Sequence, residues 1–505
     1  MDTLLALKEG FLIAFQPGNL FYCFIGVLVG TLVGVLPGLG PVAAIALLLP
    51  TTYFVEPTAA IIMFAGIYYG AMYGGSTTAI LVNIPGEASS VMTCRDGYQM
   101  ALSGRAGQAL GMCAFASFAA GTLAILGLSV VAIPLASMAL KFSYPEYFAL
   151  MCAGITLVIY LGSSSVIKAL LMALLGLVLS TVGMDLFTGQ ARFAFGEAEL
   201  LDGLDLTPII MGLFGVSEVL RNIGSSVERQ IVSTKIRDLL PSREDWQRSW
   251  KAILRGSGIG FLLGILPGGG AIVSSFASYA VENKLAKDPS RFGKGAIEGV
   301  AGPEAANNAA TGGAFVPLLT LGIPSNVVMA VVMGALMLHG ITPGPLMVRD
   351  HPDVFWGLIA SMYVGNVLLL ILNLPLIGIW VQVLRIPGRL LFPLILLLCI
   401  LGTYSVSSSF FDVKVMLAFG FLGYLMSRFG FDPAPLVLCF VIGPIMEESL
   451  RQSLILSSGS FSIFVTRPIP AIALAVCAAI VITASLPMLR TRRRRLGRVV
   501  ETEGS

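Results

Sequence analysis

The sequence predicts an all-α polytopic membrane protein with inverted structural repeats, two re-entrant helical hairpins and two broken helices. Three observations carry this prediction. The composition is too apolar for a soluble domain, two glycine-rich segments recur in both halves, and basic and neutral loops exchange places between the halves.

The composition indicates a bilayer environment. The chain has 505 residues, of which 56% are hydrophobic and 12% are charged, and its mean hydropathy is +0.88. Soluble domains carry about 25% charged residues, whereas each membrane-spanning helix needs about 20 apolar residues. Apolar stretches recur from Leu20 almost to Leu489, which predicts about 10–14 membrane segments.

The first repeated segment predicts the two hairpins. GVLVGTLVGVLPGLG, from Gly26 to Gly40, and GSGIGFLLGILPGGG, from Gly256 to Gly270, are identical at eight of fifteen positions. Both place Gly at every fourth position, which favours close helix packing. Both then read Leu-Pro-Gly-x-Gly, and Pro ends a helix while Gly permits a tight turn. We interpret each segment as a helical hairpin with its tip at LPG.

The second repeated segment predicts the two broken helices. Gly74 runs on to Asn83-Ile84-Pro85-Gly86, and Gly313 runs on to Gly322-Ile323-Pro324-Ser325. The spacing from Gly to Pro is the same in both halves. Each half therefore contains a hairpin followed by a long helix that is broken at Ile-Pro, and such internal duplication is typical of secondary transporters.

The distribution of charge predicts that the halves are inverted. Basic loops flank the second hairpin, up to Arg255 and from Lys284, while the flanks of the first are nearly neutral. Because basic loops stay in the cytoplasm, we expect a periplasmic amino terminus and a cytoplasmic Arg-rich tail. Because the loops before and after each hairpin are alike in charge, we also expect each hairpin to enter and leave the membrane by the same face.

These patterns predict the following organisation. The first repeat half covers 1–225, with its hairpin at about 20–53 and its broken helix at about 57–86. A cytoplasmic basic linker covers 226–255. The second repeat half covers 256–489, with its hairpin at about 256–283 and its broken helix at about 296–326. The Arg-rich tail covers 490–505.

The hairpin tips and the breaks are the candidate anion site. The arm after each tip begins a helix, whose free N–H groups and positive dipole end attract anions. Hydroxyl and amide groups at the breaks add donors and acceptors. A tight structural turn is the alternative for the tips. The candidate substrate-binding residues are Pro37, Gly38, Leu39, Gly40, Ser76, Thr77, Thr78, Asn83, Pro85, Gly86, Gly268, Gly269, Gly270, Pro324, Ser325 and Asn326.

A polar run in the second half is the candidate cation site. Glu304, Asn308 and Thr311 share one helical face, and Asn307 lies beside them. Oxygen ligands of this kind suit Na⁺, with a proton on Glu304 as the alternative. We expect this face to lie beside Ser325 in the second break. The competing interpretation is a cap at the helix start, with Glu304 in the first turn.

No pattern indicates an enzyme or a nucleic-acid-binding protein. GxSxG, HExxH and Walker A motifs are absent, and His339 and His351 each lie next to Gly or Pro in a loop. The seven cysteines lack CxxC spacing and are interpreted as reduced packing residues. We expect no cofactor and no nucleic-acid partner, and any energy must come from an ion gradient.

Long motifs resemble one family. VGVLPGLGPVAAIALLLPTTY, GGSTTAILVNIPGEASSV and GPEAANNAATGGAFVPLLTLGIPSN are similar to the large membrane subunit of tripartite tricarboxylate transporters, the TctA family. The family's functional motifs fall on Pro37 to Pro41, Ser76 to Gly86, Pro267 to Gly270, Glu304 to Thr311 and Pro324 to Asn326. One departure is Gly270-Ala271, which stands where the first tip has Gly40-Pro41.

The resemblance implies a function. It implies the translocating subunit of an ion-gradient-driven, binding-protein-dependent uptake system for a tricarboxylate or related carboxylate, commonly coupled to Na⁺. It further implies an elevator-type transporter in the bacterial inner membrane. The implied partners are a small four-helix membrane subunit and a periplasmic solute-binding protein. A passive channel and an intramembrane enzyme or scaffold are the alternatives.

Overall fold

The described part of the chain is helical apart from one small β-hairpin. The computed structural model describes residues 3–36, 40–161, 165–185, 187–222, 238–384 and 388–483. The predicted tip residues Pro37, Gly38 and Leu39, part of the predicted linker and the Arg-rich tail lie outside the described residues.

Ten helices and one strand pair precede the second hairpin in the described ranges. The helices are α1 (Thr3–Ala14), α2 (Pro17–Val35), α3 (Pro41–Leu48), α4 (Pro57–Val82), α5 (Val91–Leu102), α6 (Ala106–Ala139), α7 (Tyr144–Leu161), α8 (Val166–Leu179), α9 (Leu206–Ile210) and α10 (Ser217–Asn222). Strands β1 (Gly183–Met184) and β2 (Ala191–Arg192) pair antiparallel. A π-helical segment, Met211–Val216, joins α9 to α10.

The second half continues in the same way. Its helices are α11 (Arg243–Ile265), α12 (Gly270–Leu285), α13 (Glu298–Leu321), α14 (Val327–Leu338), α15 (Met347–Asp350), α16 (Pro352–Asn373), α17 (Ile377–Val383), α18 (Gly388–Ser407), α19 (Phe410–Arg428), α20 (Ala434–Leu456) and α21 (Ile463–Thr466). A further apolar helix covers Pro468–Thr483. Short 3₁₀ segments lie at Leu49–Phe54, Ala88–Ser90, Ala198–Leu200 and Pro289–Arg291.

Several helices are suited to a membrane. Within the described residues, α2, α6, α16 and α19 are long and apolar enough to cross a bilayer by length and composition, and six further apolar helices are shorter. Many large apolar side chains on the outer faces are exposed, such as Leu126 on α6 and Phe421 on α19. Because lipid is an apolar solvent, such exposure is expected of a polytopic membrane protein.

The glycine ridges pack against the broken helices. A Cβ atom on Gly26, Gly30 or Gly34 of α2 would overlap the backbone of α4. The same holds for the corresponding glycines of α11 against α13, at Gly256, Gly260 and Gly264. The packing interpretation of the ridge is therefore confirmed in both halves. Small residues let two helix backbones approach this closely in a membrane protein.

Helix α11 begins earlier than the sequence predicts. The Ser242 hydroxyl accepts a hydrogen bond from the Asp245 N–H at 3.2 Å, and the Asp245 carboxylate accepts one from the Ser242 N–H at 3.0 Å. This reciprocal cap starts the helix at Arg243. Residues 243–255 of the predicted linker are therefore helical and form the first turns of α11, which continues into the hairpin arm.

Both long helices end just before their Ile-Pro dipeptides. Helix α4 ends at Val82 and is followed by Asn83 with φ of 57°, while α13 ends at Leu321 and is followed by Gly322 with φ of 69°. Asn and Gly are the residues that tolerate this left-handed conformation. After the second break, the Asn326 side chain accepts a hydrogen bond from the Met329 N–H at 3.0 Å and caps α14.

Each half contributes a helix to the core of the other. Helix α6, which follows the first break, packs along α13, and α16, which follows the second break, packs along α4. The interior of both contacts is built from buried small and apolar residues such as Ala124 and Ala309. This exchange holds the two hairpins and the two breaks together around one interior.

Candidate functional site

The second arms of both hairpins and the segments after both breaks meet at one cavity. Its volume is about 620 Å³. On one side it is bounded by the starts of α3, α12 and α14. On the other side it is bounded by α7, the π-helical segment, α10, α19 and α20. The polar side chains that line it are Tyr68, Glu87, Ser89, Ser217, Glu218, Arg221, Ser325, Asn326, Ser427 and Asp432.

Three helices begin at the wall of this cavity. Gly40 to Ala43 at the start of α3, Gly270 to Val273 at the start of α12, and Asn326 to Val328 at the start of α14 all line it. The first turn of a helix carries N–H groups without intrahelical partners, and its dipole is positive at that end. Three such starts direct unpaired N–H groups and positive dipole ends at one cavity, and anions bind in such surroundings.

Two backbone donors at the tip of the second hairpin already have partners within the protein. The Gly268 N–H donates to the Ser325 carbonyl at 3.1 Å, and the Gly269 N–H donates to the Leu266 carbonyl at 3.0 Å. The first bond attaches the hairpin to the second break, and the second closes the tip itself. The free donors of this hairpin therefore begin at Gly270, which lies in the first turn of α12.

Charged side chains of both signs line the cavity. Arg221 is the one Lys, Arg or His side chain among the described lining residues. Its guanidinium lies 3.0 Å from Glu218, which also accepts a hydrogen bond from the Asn222 amide at 2.6 Å. Asp432 accepts a hydrogen bond from the Ala434 N–H at 2.9 Å at the start of α20. One Glu87 carboxyl oxygen is buried without a hydrogen-bond partner.

A second polar cluster surrounds Glu304, away from the cavity. Thr93 donates to one carboxyl oxygen at 2.9 Å, and Ser117 donates to the other at 3.3 Å. The Asn308 amide donates to that second oxygen at 3.3 Å and to the Ser117 hydroxyl at 2.7 Å. Glu304 is fully buried and forms no ion pair with the described residues. A void of about 10 Å³, lined in part by Ser76 and Ser117, adjoins the cluster.

The family model of the tripartite tricarboxylate transporter TctA family matches residues 20–438, which include the hairpins, both breaks and the Glu304 cluster. The chain belongs to the TctA family. It is therefore a membrane-embedded, multi-pass transporter subunit and not an enzyme, and it is one component of a tripartite transporter.

Two relatives of this TctA protein come from Agrobacterium vitis. An uncharacterized 52.8 kDa protein in the TAR-I ttuC' 3'region is 53% identical over 496 residues, which cover 98% of this chain and 99% of that protein. An uncharacterized protein in the TAR-II ttuC' 3'region is 55% identical over 234 residues, which cover 46% of this chain and 97% of that protein. No solved structure matches the chain.

The TctA cavity is lined by some of the predicted substrate-binding residues. These are Gly40, Gly268, Gly269, Gly270, Ser325 and Asn326. The other predicted substrate-binding residues that the structure describes do not line the cavity. Thr78 on α4 donates to the Val35 carbonyl at 2.7 Å and so holds the first hairpin. Ser76 and Thr77 line the small void instead. Asn83, Pro85, Gly86 and Pro324 form the breaks themselves.

The position of Glu304 on α13 bears on two interpretations from the sequence. Helix α13 begins at Glu298, so Glu304 lies in its second turn with Pro303 inside the helix, and the first-turn cap is excluded. Glu304 itself is not beside Ser325, because the Ser325 hydroxyl bonds the Ala314 carbonyl at 3.3 Å, about 15 Å further along α13 at about 1.5 Å per residue. Its partners are Thr93 on α5 and Ser117 on α6, which belong to the first half.

The neighbouring polar residues of α13 differ in how they are satisfied. Neither side-chain atom of Asn307 has a hydrogen-bond partner, and the Asn308 side-chain oxygen also has none, although both residues are buried. Thr311 donates to the Asn307 carbonyl at 3.0 Å, within its own helix. Unpartnered buried amide oxygens beside a carboxyl group are suited to a hard cation such as Na⁺.

Sequence reasoning missed the charged residues of the cavity. Glu87 comes directly after Gly86, the last residue of the first break. The acidic residue at the end of the motif NIPGE could therefore have been predicted as part of the site. Arg221 and Glu218 had no such signal. They lie just after a π-helical segment, which is a common feature of functional sites but has no recognisable sequence pattern.

Proposed function

We propose that this TctA protein is the translocating subunit of an ion-gradient-driven uptake system for a tricarboxylate or related carboxylate. The substrate binds in the 620 Å³ cavity between the hairpins and the breaks. The observation that carries the proposal is the convergence of the starts of α3, α12 and α14 on this one cavity. Backbone N–H groups at helix starts bind carboxylates without requiring a cationic side chain.

Arg221 gives the cavity one cationic group for a substrate with several carboxylates. Arg221 retains free donors beyond its bond to Glu218, because a guanidinium carries five N–H groups. A carboxylate of the substrate can share Arg221 while others occupy the helix starts. Recognition by backbone groups also explains why related carboxylates can be accepted by the same fold.

The proposal includes inverted repeats and an elevator-type motion in the bacterial inner membrane. The two halves are residues 1–225 and 256–489. The amino terminus is periplasmic and the tail is cytoplasmic. Support comes from the repeated hairpin and broken helix, and from the reciprocal packing of α6 on α13 and of α16 on α4. Cysteines introduced at positions 3 and 500, in a cysteine-free background, should be labelled from opposite sides of the membrane. Equal labelling would contradict the inverted arrangement.

The coupling cation is proposed to be Na⁺ at Glu304, Asn307, Asn308 and Thr311, with H⁺ as the alternative. A buried carboxylate without a cationic partner is costly, so a bound cation would stabilise it. Thr93 and Ser117 contribute further oxygens around the same carboxyl group. The adjoining void of about 10 Å³ is large enough for one small ion or one water.

The proposed partners are those of a binding-protein-dependent system. They are a small four-helix membrane subunit and a periplasmic solute-binding protein that delivers the carboxylate. The family description supports other subunits in general, and the individual partners are the proposal. Co-purification of the chain with the proposed membrane subunit and the proposed binding protein would test them.

Reconstitution tests the function. The complex in proteoliposomes, supplied with binding protein and labelled tri-, di- and monocarboxylates, should accumulate one of them above equilibrium when an inward Na⁺ gradient is imposed. Uptake that only equilibrates would indicate a passive channel. Absence of carboxylate uptake under every gradient would contradict the proposal as a whole.

A further inference from the structure

Glu87 has an unusual position in the substrate cavity. It follows the first break, lines the cavity, and packs its side chain against Gly75 of α4. Its Oε1 atom lies 3.4 Å from the position that a Cβ of Gly40 would occupy, at the start of α3. This oxygen is buried and has no hydrogen-bond partner. A native structure seldom leaves a buried carboxyl oxygen unpaired without a functional reason.

No cation near Glu87 compensates its charge among the described residues. The Ser90 hydroxyl accepts from the Glu87 N–H and donates to the Glu87 carbonyl, and the Ser90 N–H closes a capping box on the Glu87 side chain, which leaves Oε1 without a partner. On α4, the Tyr68 hydroxyl accepts from the Asn326 amide. Across the cavity, Arg221 is paired with Glu218, and Asp432 caps α20. Titratable groups on the elements packed against Glu87 have other partners: Asp96 with Tyr279, Glu282 with Arg255, and Glu304 with Thr93.

The surroundings favour a proton over a metal cation at this carboxyl. A Na⁺ ion takes several oxygen ligands, whereas Oε1 faces the glycine backbone of the first hairpin. A single proton neutralises the group and converts one oxygen into an O–H donor. An incoming carboxylate would be repelled by an ionised Glu87 in the same cavity, since like charges that share a site favour protonation of one of them.

We propose that Glu87 takes up one proton when the carboxylate binds, so that substrate and proton enter the cavity together. One proton leaves the solvent and bonds to a carboxyl oxygen of Glu87, and no other bond changes. The proposal rests on the proposed function, because it concerns the same cavity. It is independent of the Na⁺ site at Glu304.

The first test compares the pH dependence of binding in the complete complex. Citrate is the probe, and its dissociation constant is measured across neutral pH for wild type, Glu87→Gln and Glu218→Gln. Ionisation of citrate affects all three equally. At pH values at which Glu87 is ionised in the substrate-free protein, the dissociation constant of the wild type for citrate should rise about tenfold per pH unit relative to that of Glu87→Gln. The reason is that one proton is taken up for each citrate bound. Glu218→Gln should keep the wild-type slope.

Outcomes of this test separate the two proposals. If Glu87→Gln binds citrate with the wild-type slope, Glu87 does not exchange the proton and the inference is overturned. If the wild type binds neither citrate nor any other of the tri-, di- and monocarboxylates used for reconstitution, at any pH, the proposed function fails instead.

A second measurement needs no substrate. Infrared difference spectra of the substrate-free protein between low and high pH should contain a carboxylic-acid band that Glu87→Gln lacks. Identical spectra for the two proteins would mean that Glu87 does not titrate, and this would overturn the inference even if citrate is the wrong probe. Thermal unfolding of Glu87→Gln verifies that the variant is folded.

Discussion

Replacing Asp96 by Ala should destabilise the protein strongly. Asp96 lies on α5, just after the first break, and is fully buried. Its Oδ1 accepts hydrogen bonds from the N–H groups of Gly293, Gly295 and Ala296 at 2.9, 2.8 and 2.8 Å. Its Oδ2 accepts one from the Tyr279 hydroxyl at 2.8 Å. The carboxylate therefore joins the first break to the loop before α13 and to the second hairpin.

The magnitude follows from the donors that lose their acceptor. Ala leaves three backbone N–H groups and one hydroxyl without a partner, and each buried unsatisfied donor costs about 1–3 kcal/mol. Because relaxation and water recover part of this, we expect a loss of about 3–5 kcal/mol in the free energy of unfolding. Asp96→Asn keeps one side-chain oxygen for the backbone donors and should lose about 1–2 kcal/mol, since the bonds are no longer charge-assisted.

The assay is reversible unfolding in bicelles, with Asp350→Ala as the matched control. Asp350 pairs with its neighbour Arg349, and both side chains are largely exposed, so its removal should change stability by less than about 1 kcal/mol. We expect Asp350→Ala to be the most stable of the three variants, Asp96→Asn to be intermediate, and Asp96→Ala to be the least stable. Equal stability of Asp96→Ala and Asp350→Ala would refute the reasoning, because the four bonds would then contribute nothing.

Four further predictions concern coupling, binding and folding. Glu304→Gln should weaken the Na⁺ dependence of uptake at fixed pH, and an unchanged response would remove this carboxyl from the cation site. Arg221→Gln should lower affinity for a tricarboxylate about tenfold or more, as loss of a charge-assisted bond costs about 1.5–3 kcal/mol, with a smaller effect on a monocarboxylate; equal losses would exclude selective recognition. Gly268→Val should prevent correct folding, because φ is 78° and a Cβ there meets the α7 backbone. Gly270→Ala adds a Cβ that meets nothing within 4 Å, although φ there is 44°, so it should cost about 1–2 kcal/mol of stability, still fold, and bind carboxylate more weakly; unaltered affinity would mean that the start of α12 does not contact the substrate.

The local features of this protein were determined by its sequence. Gly at every fourth position specifies helix surfaces without side chains, and these surfaces pack backbone against backbone wherever the partner helix lies. The two Ile-Pro dipeptides end α4 and α13 because Pro restricts the residue before it, and Asn326 caps α14 through a bond within three residues. Each of these features depends on residues that are close together in the chain, so the sequence pattern predicts it.

The composition of the cavity and of the Glu304 cluster was decided only by the tertiary structure. Glu304 receives its bond from Thr93, which is 211 residues away in the chain, because α5 and α6 of the first half pack along α13. Arg221 lies on the helix that follows the π-helical segment, and no sequence pattern predicts that segment. Helix periodicity indicates which side chains share a face, but the partner of that face depends on how the two halves interlock, and this is a property of the packed chain.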